Sequence, residues 1–206
     1  MKVQTLYDLV APLYGKLMPS MSSRLTARAS QRVQAGAPDS ILEIGMGPGH
    51  LIRELESKTS AHIVGVDLSK RMVVEARRKP AHRAHPTRFV CADGLQLPFR
   101  RGAFDSVVSV FLFDVLGPEM VPLMLREMGR VLTPGGRVVV GTLHITNALI
   151  RKSWMLAYRV LPDLVGKARP ATIDAHIEAA GFRVLKEEEI DEFAGARLIT
   201  LVNVVG

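Results

Sequence analysis

One cysteine, Cys91, is the whole thiol content of this 206-residue chain. A single cysteine excludes an internal disulfide and is consistent with a reducing compartment. Cys91 falls inside a predicted strand, where a small core residue is expected rather than a nucleophile. No apolar run reaches the ~18 residues of a membrane span, although mean hydropathy is high at +0.17. The start, Met1-Lys2-Val3-Gln4, has no signal-peptide core, so a cytoplasmic location is expected. Internal repeats and low-complexity linkers are absent as well, and the length suits one domain with a sizeable core. Acids are the minority charge: the net charge is +7. That balance favours an acidic partner, nucleic acid or an anionic membrane surface, without establishing one.

A glycine pattern carries the chemistry. Ser40 to Ile44 reads as a buried strand that stops at Gly45, Gly47 and Gly49, with a helical pattern beginning near Leu51. Glycines let a tight turn pass close to a ligand with no Cβ in the way. Asp67 lies 22 residues beyond Gly45, the interval at which a second parallel strand offers a carboxylate to ribose hydroxyls. A nicotinamide or flavin fingerprint needs a sixth-position glycine, but His50 and Ile52 occupy the two frames. A P-loop fails too, because no Gly-Lys-Ser/Thr follows. Glu43 stands inside the strand end instead. An acid there repels a pyrophosphate and suits a cofactor with an ammonium group and no phosphate, such as S-adenosylmethionine.

Along the rest of the chain, strands are expected near 40–45, 62–67, 87–92, 105–110 and 137–142, alternating with helices near 49–58, 70–79 and 119–132. Ser69 is placed to cap the second of these helices, and Thr133-Pro134-Gly135-Gly136 reads as the turn into strand five. A helix over 172–180 should end at Gly181, followed by a hairpin of strands near 182–189 and 196–205. The alternation predicts an α/β fold: a doubly wound, mostly parallel seven-stranded sheet, Rossmann-like, with an antiparallel C-terminal hairpin. Within one domain, residues 1–36 are expected to be an N-terminal helical segment, which the resemblance given next makes a lid, and 37–145 the cofactor-binding core. Residues 146–170 are expected to be an insertion, which the same resemblance puts on the substrate side, and 171–206 the final helix and strands.

Glu43-Ile44-Gly45-Met46-Gly47-Pro48-Gly49 resembles motif I of class I S-adenosylmethionine-dependent methyltransferases. Further segments match in order: Val66-Asp67-Leu68-Ser69 with Met72, Cys91-Ala92-Asp93-Gly94 with Leu97-Pro98-Phe99, Phe104 to Val108, and Arg126 to Arg137. The likeness is close over about residues 1–145 and loose beyond. It is most like the menaquinone/ubiquinone-type and phospholipid-type small-molecule enzymes, because Tyr7-Asp8-Leu9-Val10-Ala11-Pro12-Leu13-Tyr14 resembles their lead-in.

The resemblance implies roles for particular residues. Glu43 and the backbone of Gly45, Gly47 and Gly49 face the methionine portion of the cofactor. Asp67 accepts from the ribose, with Leu68 beside it. Asp93, with Gly94, bonds the adenine amino group. Met72 is an adenine contact or helix packing, and Phe111 covers the cofactor or packs in the core. Tyr14 approaches the cofactor carboxylate and Tyr7 belongs to the lid, unless both only anchor an N-terminal helix. No metal is implied.

Methyl transfer from a sulfonium is a direct displacement, so the protein mainly aligns the acceptor. The absence of an Asn/Asp-Pro-Pro-Tyr/Phe motif after strand four counts against base amines and glutamine amides. His144 and Asp114 are candidate catalytic residues, as base or orienting group; a surface loop is the alternative for His144. Asn147 to Leu161 is apolar and aromatic with only basic charges. It is expected to roof the acceptor pocket through Leu149, Ile150, Trp154 and Leu161, or to lie at a membrane interface, or simply to pack on the domain. A second basic stretch, Lys70, Arg71, Arg77, Arg78, Lys79, Arg83 and Arg88, is a solvated face or a contact for anionic headgroups. Interleaved aromatics for RNA stacking are missing there. The expected acceptor is therefore small or lipid-like: a phospholipid headgroup amine or a quinone-type ring. RNA or protein methylation, and a non-catalytic cofactor-binding protein, are the alternatives.

Overall fold

The computed structural model describes residues 5, 23–78, 87–160, 162, 167–192 and 195–205. Tyr7, Tyr14, Lys79, Arg83 and Leu161 lie outside the described residues. A helix, α1, covers 23–34. It is followed by β1 (Ser40–Ile44), α2 (His50–Glu56), β2 (His62–Asp67), α3 (Lys70–Arg78) and β3 (Arg88–Cys91). Next come β4 (Phe104–Val110), α4 (Val121–Val131), β5 (Leu132–Leu143), α5 (Ala148–Val160), α6 (Asp174–Ile177), β6 (Phe182–Ile190) and β7 (Ala196–Asn203).

The seven strands form one sheet in the order β3-β2-β1-β4-β5-β7-β6. The first five are parallel to their neighbours, and β7 runs antiparallel between β5 and β6. Alternate side chains point to opposite faces of a strand, and the two faces carry separate cores. Ile41, Val108, Val139 and Leu198 pack with α1, α2 and α3. Leu42, Val107, Val138 and Ile199 pack with α4 and α6. Glu43 shares the parity of Ile41, so it turns toward the α2 side at the strand's carboxyl end.

Local signals act as expected at several points. Ser69 Oγ accepts the Met72 N–H at 3.2 Å and caps α3. Gly181 ends the 3-10 turn that extends α6, in the left-handed region at φ 83°. Three expectations need correction. Thr133 to Gly136 is not a turn ahead of β5 but an irregularity within it: the register passes from Phe104↔Leu132 to Ser106↔Arg137, and the extra residues bulge out. The helix foreseen near 119 starts with a 3-10 turn at Pro118–Met120. Cys91 is in a strand but is exposed, because β3 is the sheet's edge and none of its four residues is buried.

Candidate active site

The glycine turn is built against β2. Gly45 and Met46 both donate their N–H to the Val66 carbonyl, at 2.8 and 3.1 Å. Gly45, Gly47 and Gly49 take φ of 71°, 52° and 76°, values an L side chain adopts only with strain. At Gly47 the space around a would-be Cβ is open, so its requirement is conformational. Asp67 locks this turn from the neighbouring strand. One carboxylate oxygen accepts the Gly47 N–H at 2.8 Å and the other accepts the Ser69 N–H at 2.8 Å. Each carboxylate oxygen has a second lone pair, so the same side chain can also accept from a ligand hydroxyl.

Glu43 is 3% exposed, and its Oε2 has no hydrogen-bond partner among the described residues. Burial pushes its pKa well above the usual carboxylate range, the negative charge of Asp67 pushes the same way, and the Ile52 backbone N–H partly offsets both. A buried acid with an orphaned oxygen is a site prepared for a cation.

Glu43, Gly45, Gly47 and Asp67 line a cleft of about 500 Å³ at the carboxyl edge of the sheet, the place where open α/β sheets bind ligands. Gly49 does not line it, and a Cβ there would stand 3.2 Å from Ala76 Cβ of α3. Leu68, Met72, Asp93, Gly94 and Phe111 line it as well. Asp93 Oδ1 accepts the Leu95 N–H at 2.9 Å, tightening the loop after β3. A Cβ on Gly94 would stand 2.9 Å from Ile44 Cγ2 and 3.0 Å from Met124 Cε. Met72 is buried and also lines the cleft, so packing and ligand contact coincide. Phe111 holds an unusual positive φ of 60°, fixed by donation of its N–H to the Gly141 carbonyl at 2.8 Å. Strain of this kind clusters at functional sites.

The two catalytic candidates are placed elsewhere. Asp114 is fully buried and is not among the cleft-lining residues. Its carboxylate accepts the Leu143 N–H at 3.1 Å and the Ala171 N–H at 3.2 Å, joining β4's following turn to β5 and to the chain after α5. Burial pushes its pKa up to about 7 against the pull of those N–H groups and of Arg169. His144 is 40% exposed and sits 3.2 Å from Glu189, also outside the cleft. None of the α5 residues expected to roof the pocket lines it either.

Sequence reasoning missed the apolar wall. Leu112, Val115, Leu116, Met120 and Met124 line one side of the cleft, and Leu112 packs against Gly45. The apolar run after β4 was its signal, but its folding into the 3-10 turn Phe113–Val115 is what aims it at the cleft. Thr26 of α1 also reaches the cleft.

A profile of the methyltransferase-domain family matches residues 41–136. The chain is 33% identical to a demethylmenaquinone methyltransferase of Thermus thermophilus, over 88% of this chain and 93% of that protein. The chain belongs to the class I S-adenosylmethionine-dependent methyltransferases. Another member, a ubiquinone/menaquinone biosynthesis C-methyltransferase of Geotalea daltonii, is 30% identical over 80% of this chain and 74% of its own length. The magnesium protoporphyrin IX methyltransferase of Synechocystis, solved with SAH bound, superposes with a TM-score of 0.62 at 18% identity, covering 86% of this chain and 83% of that one. This methyltransferase uses S-adenosylmethionine, and the cleft's chemistry fits it: a buried acid for an ammonium group, open space at Gly47, and Asp67 within a ligand's reach.

Proposed function

We propose that this enzyme methylates a ring carbon of a quinone-type acceptor in its reduced form. The observation that carries the reading is the apolar wall, Leu112, Val115, Leu116, Met120 and Met124, continuous with the polar cradle in one cleft. The wall bears no acid, which suits a flat apolar ring better than a cationic phospholipid headgroup amine. The names of the two relatives, one a demethylmenaquinone enzyme and one a C-methyltransferase, support the same choice.

S-adenosylmethionine supplies the activated methyl group. Glu43 takes the cofactor's ammonium group, and the backbone at Gly45, Gly47 and Gly49 allows the methionine portion to lie close. Asp67 accepts from the ribose while holding Gly47. Asp93 takes the adenine amino group, with Leu68, Met72 and Gly94 around the base. Phe111 covers the cofactor, and the resemblance of its lead-in assigns Tyr14 to the cofactor carboxylate. The wall then excludes water and sets the ring in line with the methyl–sulfur bond, which is the main source of rate in a direct displacement. The ring carbon gains the methyl group and loses its proton to solvent.

Purified enzyme with methyl-labelled cofactor, offered a demethylated naphthoquinol and phosphatidylethanolamine in detergent, tests this. Label in the quinol is expected. Label in the phospholipid, or in neither while calorimetry shows cofactor bound, overturns the acceptor assignment.

A further inference from the structure

α5 has an outer face that no described residue covers. At about 100° per residue, Leu149, Leu156 and Val160 fall on one stripe, and they are 74%, 63% and 63% exposed. The opposite side is the one that packs: Trp154, Ala157 and Tyr158 are half-buried, and Trp154 Nε1 donates to the Ala168 carbonyl at 2.9 Å. The helix is therefore anchored through its inner side, and the outward stripe is left bare. Lys152 and Arg159, both exposed, flank that stripe on one side. Between Leu143 and Pro162 the chain has no acid at all.

We propose that this stripe docks the enzyme on an anionic lipid surface, with Leu149, Leu156 and Val160 entering the headgroup boundary and Lys152 and Arg159 meeting anionic headgroups. Charge decides the occupant. A helix with an apolar stripe and a purely basic flank has the make-up of an in-plane interfacial helix. Pairing α5 with its own copy would set like charges against each other. The 13-residue helix spans about 20 Å at 1.5 Å per residue, short of the ~30 Å hydrocarbon core, so it lies along the surface. The inference extends the acceptor reading above, because a quinone with an apolar tail is held in a bilayer, but its test does not depend on that reading.

Vesicle sedimentation of the full chain provides the test, using phosphatidylglycerol–phosphatidylcholine vesicles and pure phosphatidylcholine vesicles at low salt. Binding to the anionic vesicles alone is expected, weakening as added salt shortens the screening length from about 10 Å at 0.1 M. Both K152E/R159E and L149S/L156S/V160S should lower the bound-to-free ratio by about tenfold or more, with melting temperature and cofactor binding unchanged. K70E/R71E on α3 makes the same charge change and should lose less. No binding by the unmodified protein overturns the proposal, as does binding that survives both α5 variants. A dimer in sedimentation equilibrium that the stripe variant abolishes assigns the face to a second copy and overturns it too. Vesicle binding as expected with no quinol methylated in detergent would refute the acceptor and leave the docking standing. The reverse result would do the opposite.

Discussion

Replacing Glu43 by Gln should move stability and cofactor affinity in opposite directions. Glu43 is buried with an Oε2 that no described residue bonds, and burial and Asp67 both raise its pKa above the ordinary 4.5. An acid whose folded pKa is raised is ionised more readily in the unfolded chain. Below 4.5 both states are protonated and the residue is neutral to stability. As pH rises above 4.5 the unfolded state ionises first, so stability falls until pH passes the raised folded value. E43Q removes that loss, and its melting temperature should exceed the parent's by a margin that grows as pH rises above 4.5.

Cofactor binding has the opposite sign. The ammonium group needs the ionised carboxylate, and a hydrogen bond to a charged partner contributes about 1.5–3 kcal/mol. At about 1.4 kcal/mol per factor of ten, E43Q should bind S-adenosylmethionine roughly tenfold to a hundredfold more weakly. In the parent enzyme binding should release a proton below the raised pKa. The calorimetric heat should then change with the buffer's ionisation enthalpy, and E43Q should lose that dependence. Unchanged affinity in E43Q, or a lower melting temperature than the parent near pH 8, would refute the argument that Glu43 is held for a cation.

A Cβ at Gly65, paired with Glu43 across β1 and β2, would collide with Met46 Sδ and Ile52 Cδ1. Both neighbours are buried, so G65A should cost about 1–3 kcal/mol and lower the melting temperature by several degrees. D114N keeps an oxygen for the Leu143 and Ala171 N–H groups and should melt close to the parent at pH 3.8 or below, where the carboxyl is protonated in both states. The carboxylate, with its pKa raised from 3.8 to about 7, loses stability as pH rises through that window, so D114N should melt higher than the parent above it. D114A orphans buried donors and should cost about 1–3 kcal/mol for each. H144A, which removes the half-exposed contact with Glu189 and a charge interaction with Asp174, should leave kcat near the parent's. A loss of about a hundredfold or more would restore His144 as a general base.

The C-terminal hairpin was legible because two β-patterned runs follow Gly181, but its insertion order was not. Nothing local says that β7 enters between β5 and β6, since strand order is set by which edge remains open once β4 and β5 have paired. The cleft was legible where backbone conformation constrains residue type, at Gly45 and Gly47, and where a carboxylate recurs at a strand end, at Asp67 and Asp93. It was not legible where the lining is apolar. Leu112, Val115 and Leu116 look like any core residues until a 3-10 turn directs them.

The amino-acid sequence by itself determined the sheet class, the glycine turn and a phosphate-free nucleoside cofactor, because those depend on period, φ requirements and charge at short spacing; the resemblance of the later motifs narrowed that cofactor to S-adenosylmethionine. Only the tertiary structure decided what each acid does. Packing buried Glu43 with its Oε2 unpartnered among the described residues, set Asp67 against the Gly47 N–H, and drew Asp114 out of the cleft to pin Leu143 and Ala171. It also decided that α5 keeps Trp154 inward and leaves Leu149, Leu156 and Val160 bare. Burial and hydrogen-bond pairing are properties of segments brought together from distant parts of the chain, and a carboxylate's pKa and role follow from them.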